Sequence, residues 1–140
     1  MILTYTLDTN TISYLLRGEG NVEKHYINEI IEYGNNYTIP GIVYYEIERW
    51  LRYKPTKMTR SFAQFFINLY NNVRDKSEIT HGIWEKAIEI YIELKQKGQL
   101  IGDADILIAA YCVVNGYTLV TNNTNDFIRI NGIKLTNWLT

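Results

Sequence analysis

Three acidic residues occupy positions where an ordinary surface charge is not expected. Asp8 directly follows the β-favouring stretch 1–7, Glu46 lies on the apolar stripe of a predicted helix, and Asp105 opens a run that is almost entirely apolar. An isolated buried carboxylate is costly, so such acids are neutral, paired or bound to a cation. Carboxylates that converge raise one another's pKa unless a cation compensates. Oxygen ligands without cysteine or histidine favour Mg²⁺, with Mn²⁺ as the alternative ion.

Two of these acids also have a purely structural interpretation. Asp8, Thr9 and Asn10 are residue types that cap helices, so a capped first helix would explain them without any chemistry. Asp103 and Asp105 both open a helix, where the helix dipole favours acids. They point about 200° apart around that helix, since each residue advances it by about 100°. We therefore expect Asp105 in a shared site and Asp103 as a cap.

Glu46 and Glu48 share one predicted helix but receive opposite interpretations. Glu46 falls within the apolar stripe by the i, i+3, i+4, i+7 count. Glu48 lies off that stripe and can pair with Arg52 four residues later on a solvated face. We therefore predict that Glu46 joins Asp8 and Asp105 as a direct metal ligand, and that Glu48 is a surface residue.

Composition excludes several classes of protein. The chain has 140 residues and a net charge of −1, so it is not a globally basic nucleic-acid binder, and a polyanion must be held by a local patch. No apolar stretch approaches the ~18 residues of a membrane span. The N-terminal sequence does not resemble a secretion signal, so we expect a cytoplasmic protein. The single cysteine, Cys112, lies in an apolar run and is predicted to be a small buried side chain.

Predicted strands and helices alternate along the chain. Strands are expected near 2–7, 37–39, 117–121 and 133–135, with a weaker one at 77–80, and helical patterns separate them. This alternation predicts one domain over 1–140 with a parallel sheet of about five strands, covered by helices on both faces. In the helix that begins near His81, we expect Trp84, Ala87, Ile88 and Tyr91 to face inward. The aromatic-rich segment 62–91 carries more apolar surface than a small sheet can cover, which predicts a homodimer or a bound partner helix.

Four motifs together resemble a known family. They are Leu7-Asp8-Thr9-Asn10, the glutamate Glu46 after the second strand, the segment 101–110 (IGDADILIAA) and the segment 120–127 (VTNNTNDF). In this order and spacing the chain resembles a PIN domain of the VapC toxin type. The resemblance implies a three-layer α/β/α fold and a Mg²⁺-dependent endoribonuclease that acts on structured RNA and is inhibited by a cognate antitoxin. The last motif looks most like toxins that cut initiator tRNA in the anticodon region.

The resemblance also predicts a fourth acidic position, where this chain departs from the family pattern. Many PIN domains have an aspartate where this chain has Asn123, and the nearest acid is Asp126. Asn123 can coordinate through its carbonyl or position a water, while Asp126 supplies charge from outside the direct ligands. The predicted catalytic acids are Asp8, Glu46, Asp105 and Asp126. The residues predicted to hold them or to contact phosphate are Thr9, Asn10, Thr121, Asn122 and Asn123.

A basic stretch follows Glu46 and is the candidate RNA-binding surface. Its cations are Arg49, Arg52, Lys54, Lys57 and Arg60, with no acid among residues 49–60. An ordinary solvated helix end explains these charges equally well. The neighbouring tyrosines, Tyr44, Tyr45 and Tyr53, could stack on bases.

Two other classes of function compete with a nuclease. One is a phosphatase with Asp8 as nucleophile, although Asn10 replaces the second acid of such enzymes and no lysine stands at a strand end. The other is a non-catalytic RNA-binding or partner-binding domain in which the acids are structural.

Overall fold

The structure, a computed structural model, describes residues 1–73 and 79–140. The strands are β1 (Thr4–Leu7), β2 (Asn36–Thr38), β3 (Thr118–Val120) and β4 (Lys134–Thr136). The helices are α1 (Thr9–Arg17), α2 (Val22–Tyr26), α3 (Gly41–Arg52), α4 (Lys57–Asn71), α5 (His81–Gln96), α6 (Asp103–Asn115) and α7 (Thr124–Phe127). A π-helical segment, Ile27–Glu32, continues α2.

The four strands form one parallel sheet in the order β2-β1-β3-β4. Tyr5 of β1 lies opposite Tyr37 of β2 on one side and opposite Thr118 of β3 on the other. The chain leaves β1 toward β2 and later returns to β3 on the opposite side of β1. The carboxyl end of β1 is therefore a topological switch point, where open α/β sheets form their binding crevices.

The α/β fold with a parallel sheet is confirmed, and the difference lies in the number of strands. The described residues contain four strands, whereas the sequence predicts about five. Of the weak strand expected at 77–80, positions 77 and 78 lie outside the described residues, and Ile79 and Thr80 are not in a strand, since Thr80 is the N-cap of α5. The other strands lie within two residues of their predicted bounds at each end.

The core lies where the helices meet the sheet. Leu7, Ile39, Leu119 and Val120 at the strand ends are fully buried, and Phe66 of α4 joins them in the same cluster. The helices pack in two groups, α1 with α2, α3 and α4, and α5 with α6. These groups fix the carboxyl ends of β1 and β3 between well-packed helices.

The helix α5 presents a different face to the core from the one predicted. Its buried residues are Ile83, Ala87, Ile90 and Leu94. Trp84 and Ile88 were expected to face inward, but they are about half exposed, at 49% and 52%. The sequence carries two adjacent apolar stripes, and the stripe that packs on α6 is displaced by about one residue from the predicted one.

Two expectations about composition can be compared with the structure. Cys112 is buried within α6, and burial raises the pKa of its thiol to about 12. Among the described residues, no helix is both long enough and apolar enough to cross a bilayer.

Candidate active site

Asp8 is both a helix cap and a buried member of the acidic site. It follows β1, and its backbone N–H donates to the carbonyl of Val120 at the end of β3 (3.3 Å). Its Oδ1 accepts from the backbone N–H of Thr11 at 2.8 Å, which makes Asp8 the N-cap of α1. The two interpretations of Asp8 are therefore compatible, because one carboxylate oxygen caps the helix while the side chain lies at the switch point.

Glu46 projects from α3 toward the start of α1. Its Oε1 accepts a hydrogen bond from the Thr9 hydroxyl at 2.7 Å, and Nη2 of Arg49 lies 3.9 Å from Oε2. The side chain is 24% exposed, so it is partly withdrawn from water as its position on the apolar stripe predicts. Thr9 thus orients Glu46, as expected for a supporting residue.

The prediction for Glu48 is right about its partner and wrong about its environment. Oε2 of Glu48 pairs with Nε of Arg52 at 2.8 Å. The Glu48 side chain is only 15% exposed, less than that of Glu46, so it does not lie on a freely solvated face. This pair neutralises Arg52 locally and weakens the case for Arg52 as a phosphate ligand.

The first turn of α6 separates Asp105 from Asp103, as helical geometry predicts. Asp105 is partly buried and lies within the electrostatic range of Asp8, Glu46 and Asp126. Asp103 is exposed and is not the cap, because Gly102 occupies the N-cap position without a side-chain hydrogen bond. The expectation that Asp103 caps α6 is therefore wrong, whereas Asp105 does face the shared site.

Asp126 is held from both sides on α7. Asn123 Nδ2 donates to its Oδ2 at 2.9 Å, and Nη2 of Arg129 lies 3.4 Å from its Oδ1. The Asn123 amide nitrogen therefore positions Asp126, and the atom of Asn123 that can coordinate a cation is its carbonyl Oδ1. Arg129, two residues past the end of α7, was missed in the sequence, although its i+3 spacing from Asp126 could have indicated the pair.

The electrostatics of the site show that these acids form one group. Burial is the largest cause of a raised pKa at Asp8; hydrogen bonds from Thr121 and Thr11 lower it, and the charge of Glu46 raises it further. Burial also raises the pKa of Asp105, followed by the negative charges of Asp8, Glu46 and Asp126. The four predicted catalytic acids are thus near enough to repel one another.

The remaining supporting residues divide into two kinds. Thr121 is fully buried, and its hydroxyl hydrogen-bonds to Asp8 and accepts from the backbone N–H of Asn123 (3.0 Å). Asn10 and Asn122 are exposed, and Asn122 Oδ1 accepts from Asn137 Nδ2 at 2.9 Å. Thr121 therefore positions a carboxylate, while Asn10 and Asn122 are free to face a substrate.

The carboxylate oxygens of the four acids suit a hard cation, but these side chains are not arranged around one position that a cation could occupy. Within residues 1–73 and 79–140, no group of three or more His, Cys, Asp or Glu side chains has an arrangement that could hold a metal ion as it stands. The four acids nevertheless supply only oxygen donors, and burial together with the charges of the other three acids raises the pKa of Asp105. Both features match Mg²⁺ or Mn²⁺, provided the carboxylates close in around the ion.

The predicted basic stretch lies on two elements. Arg49 and Arg52 end α3, Lys54 follows it, and Lys57 and Arg60 belong to the first turn of α4. All five side chains are exposed. Of these, Arg49 is the one that contacts a site acid, and Arg52 is paired with Glu48.

The fold and the site define an α/β protein that gathers acidic side chains at the switch point of a parallel sheet. The chain belongs to the PIN domain family, whose family model matches residues 5–133. The resemblance to the VapC type is also confirmed, because the similar proteins of known name are VapC ribonucleases.

Three of the similar proteins illustrate the relationship. Ribonuclease VapC2 of Rickettsia felis is 30% identical over 138 residues, which cover 97% of this chain and 98% of that protein. The tRNA(fMet)-specific endonuclease VapC of Shigella flexneri is 36% identical over 50 residues, covering 36% of this chain and 38% of that protein. The crystal structure of VapBC2 from Rickettsia felis, bound to a promoter DNA fragment, has a chain with a TM-score of 0.81 and 27% identity, covering 97% of this chain and 99% of that one.

Proposed function

We propose that this protein is a Mg²⁺-dependent endoribonuclease, the toxin of a toxin–antitoxin pair. The observation that carries the proposal is the placement of four acids at the carboxyl end of the sheet: Asp8 after β1, Glu46 bonded to Thr9 of α1, Asp105 in the first turn of α6 and Asp126 on α7 after β3. The names of the similar proteins, a ribonuclease and a tRNA(fMet)-specific endonuclease, support RNA as substrate. We infer structured RNA, and initiator tRNA cut in the anticodon region, as the substrate.

Asp8, Glu46 and Asp105 would hold the cation, and Asp126 would add charge from outside. Mg²⁺, when bound, lowers the pKa of a coordinated water and offsets negative charge on the phosphate. Thr9 and Thr121 keep Glu46 and Asp8 oriented through their hydroxyls. Because both threonines are bound to carboxylates before any substrate arrives, the site needs little rearrangement of these two acids during the reaction.

Asp126 is the residue best placed to orient a water molecule beside the direct ligands. Asn123 and Arg129 each contact one of its oxygens, which fixes the carboxylate plane. A carboxylate oxygen has two lone-pair positions, so each oxygen retains one for a further hydrogen bond. Asp126 can therefore accept a proton-bearing group without losing its two existing partners.

The partner and the compartment follow from the same relationship. A structure of similar fold is a VapBC2 complex from Rickettsia felis, which supports a cognate antitoxin as the inhibitor of this protein. We propose that the toxin acts in the cytoplasm, where tRNA is found, and that it forms a homodimer.

A cleavage assay tests the proposed activity. Purified protein is incubated with end-labelled initiator tRNA and with total tRNA, in Mg²⁺, in Mn²⁺ or in chelator. We expect discrete fragments in Mg²⁺ or Mn²⁺ and intact RNA in chelator, because hydrolysis needs the cation to activate water.

The matched variants are Asp105→Asn and Asp103→Asn, two residues apart on one helix turn. We expect Asp105→Asn to lower cleavage by about 100-fold or more, since a preorganised electrostatic group is removed. Asp103→Asn should keep the parental rate because Asp103 is exposed and outside the acidic group. Cleavage that persists in chelator, or the absence of cleavage under every condition, contradicts the proposal.

A further inference from the structure

A cleft lies immediately beyond Glu46 along α3. Its volume is about 440 Å³ and it is lined by Arg49, Trp50 and Tyr53. Positions 46, 49 and 50 follow the i, i+3, i+4 spacing and share one side of α3, and Tyr53, the residue that ends α3 as its C-cap, lines the cleft beside Arg49 and Trp50. Tyr53 stands about 10 Å along the helix axis from Glu46, at 1.5 Å per residue. The cleft is therefore close to the acidic site and on the same side of α3.

The aromatic residues near this cleft differ in what they can bind. Tyr44 is packed on Tyr70, with ring centroids 4.4 Å apart, and Trp50 packs on Phe62 at 6.2 Å. Tyr53 is 72% exposed. Of the three tyrosines that the sequence suggests for stacking, Tyr44 is structural and Tyr45, 55% exposed, has the Arg49 guanidinium 5.0 Å from its ring centre. Tyr53 presents a ring at the rim of the cleft.

Cations flank the exposed ring. The Arg49 side chain is 59% exposed and holds Glu46 only at 3.9 Å, so its guanidinium can reorient toward an incoming anion. Lys54 turns the chain after α3 with a φ of 49°, and its Nζ lies 5.3 Å from the centre of the Tyr53 ring. Arg52 is excluded because Glu48 pairs with it at 2.8 Å.

An exposed ring, an apolar floor and two cations match an unpaired nucleotide. A base has a flat face that stacks on tyrosine, and its phosphate is attracted to arginine and lysine. Arginine, tryptophan and tyrosine also line protein interfaces, so binding of a protein partner is the outcome that the test must separate from binding of RNA.

We propose that the cleft formed by Arg49, Trp50 and Tyr53 is a subsite for one unpaired nucleotide of the RNA. Its base stacks on Tyr53, and its phosphate is held by Arg49 and Lys54. This inference rests on the proposed function for the choice of RNA. The inference adds that the enzyme binds an extruded or loop nucleotide near the bond that it cuts.

The test measures binding in chelator, so that no cleavage chemistry is required. The probe is a short fluorescein-labelled oligoadenylate, and the readout is fluorescence anisotropy. Tyr53→Leu is expected to raise Kd about tenfold, the loss typical of one stacked base. Tyr53→Phe keeps the ring and is expected to bind as the parent does. Arg49→Gln is expected to make the slope of log K against log salt shallower by about 1, because one phosphate contact is lost.

Tyr33→Leu is the matched control. Tyr33 is 74% exposed, but it precedes β2 and so lies toward the amino ends of the strands, away from the acidic site. Thermal melts of each variant confirm that the fold is kept. The inference is overturned if Tyr53→Leu binds like the parent, as it would if the cleft served a protein partner. An equal loss in Tyr33→Leu also overturns it.

The two proposals can fail separately. Weaker binding by Tyr53→Leu, together with no cleavage of any tRNA, would support the subsite and contradict the nuclease. Cleavage that depends on Mg²⁺, together with unchanged binding by Tyr53→Leu, would support the nuclease and contradict the subsite.

Discussion

The carboxylate of Asp8 has two roles, because it caps α1 and is also one of the acids of the site. Its Oδ1 caps α1 through the N–H of Thr11, while burial and the charge of Glu46 raise its pKa. From sequence, a cap and a site acid cannot be told apart, because both use the same residue type at the end of a strand. The distinction depends on Glu46 and Asp105, which lie far away along the chain.

Substitutions at Asp8 separate the two roles. Asp8→Asn keeps an oxygen that can cap α1, so we expect its free energy of unfolding without metal to stay within about 0.5 kcal/mol of the parent or to rise. Asp8→Ala loses the cap and should be less stable than Asp8→Asn by about 1 kcal/mol. Urea denaturation of both variants measures the difference, and equal stability would show that the cap contributes nothing.

The raised pKa of Asp105 predicts a pH-dependent effect on stability. A carboxyl whose pKa is higher in the folded state binds more protons there, so folding stability falls as pH rises from the unfolded value near 3.8 through the raised value. Asp105→Asn removes this loss. The stability of Asp105→Asn relative to the parent should therefore increase from pH 4 to pH 8 in chelator.

Denaturation curves of the parent and of Asp105→Asn at several pH values check this expectation. Asp103→Asn serves as the control, because Asp103 is exposed and lies outside the acidic group. A relative stability of Asp105→Asn that falls with pH would mean that a favourable partner, not repulsion, dominates at Asp105.

For the individual elements, the spacing of apolar residues predicts where a helix lies in the sequence better than it predicts which face of that helix is buried. For α3 the stripe count placed Glu46 correctly, since its side chain is partly buried against α1 through Thr9. For α5 two apolar stripes lie side by side, about 100° apart, and the count selected the one with Trp84 and Ile88. The choice between such stripes is made by packing against α6, which a local pattern does not contain.

Gly20, in the connection between α1 and α2, packs against the C-terminal segment of the chain. Gly20 has a φ of +63°, and a Cβ there would meet Leu139 side-chain and backbone atoms at 2.4 and 2.7 Å. Gly34 has a similar φ of +71° with open space around it. Gly20→Ala should therefore cost about 1–3 kcal/mol more than Gly34→Ala, because overpacking is added to the strain that both share.

Urea denaturation of Gly20→Ala and Gly34→Ala measures this difference. Equal losses would indicate that the C-terminal segment near Leu139 moves aside at little cost.

For the whole molecule, strand order was harder to predict than strand content. The alternation of strands and helices predicts a parallel sheet, and the resemblance of four motifs predicts the α/β/α fold. The order β2-β1-β3-β4 arises from packing among segments distant in sequence. The predicted acids nevertheless meet at the carboxyl end of the sheet: Asp8, Asp105 and Asp126 follow or open elements there, and Glu46 reaches it from the second turn of α3.

The exposed apolar side chains of α5 support the expected homodimer. Trp84, Ile88 and Ile92 are each about half exposed, at 49%, 52% and 48%, and follow the i, i+4, i+8 spacing of one stripe. We predict that the parent sediments at twice the mass of its chain. Trp84→Glu should sediment as a single chain, because a charge would be buried in the contact.

Analytical ultracentrifugation over a range of concentrations checks the dimer. Tyr33→Glu changes an aromatic residue that is 74% exposed and lies outside α5, and it should leave the sedimentation unchanged. A parent that remains a single chain at every concentration contradicts the prediction.

The central claim is that Asp8, Glu46, Asp105 and Asp126 act together as one cation site. Isothermal titration calorimetry with Mn²⁺ and with Mg²⁺, in the absence of RNA, tests it most directly. We predict saturable binding by the parent and by Asp103→Asn, and a loss of at least tenfold in affinity for Asp105→Asn. Equal affinity in Asp105→Asn and the parent, or the absence of binding by the parent, would contradict the claim.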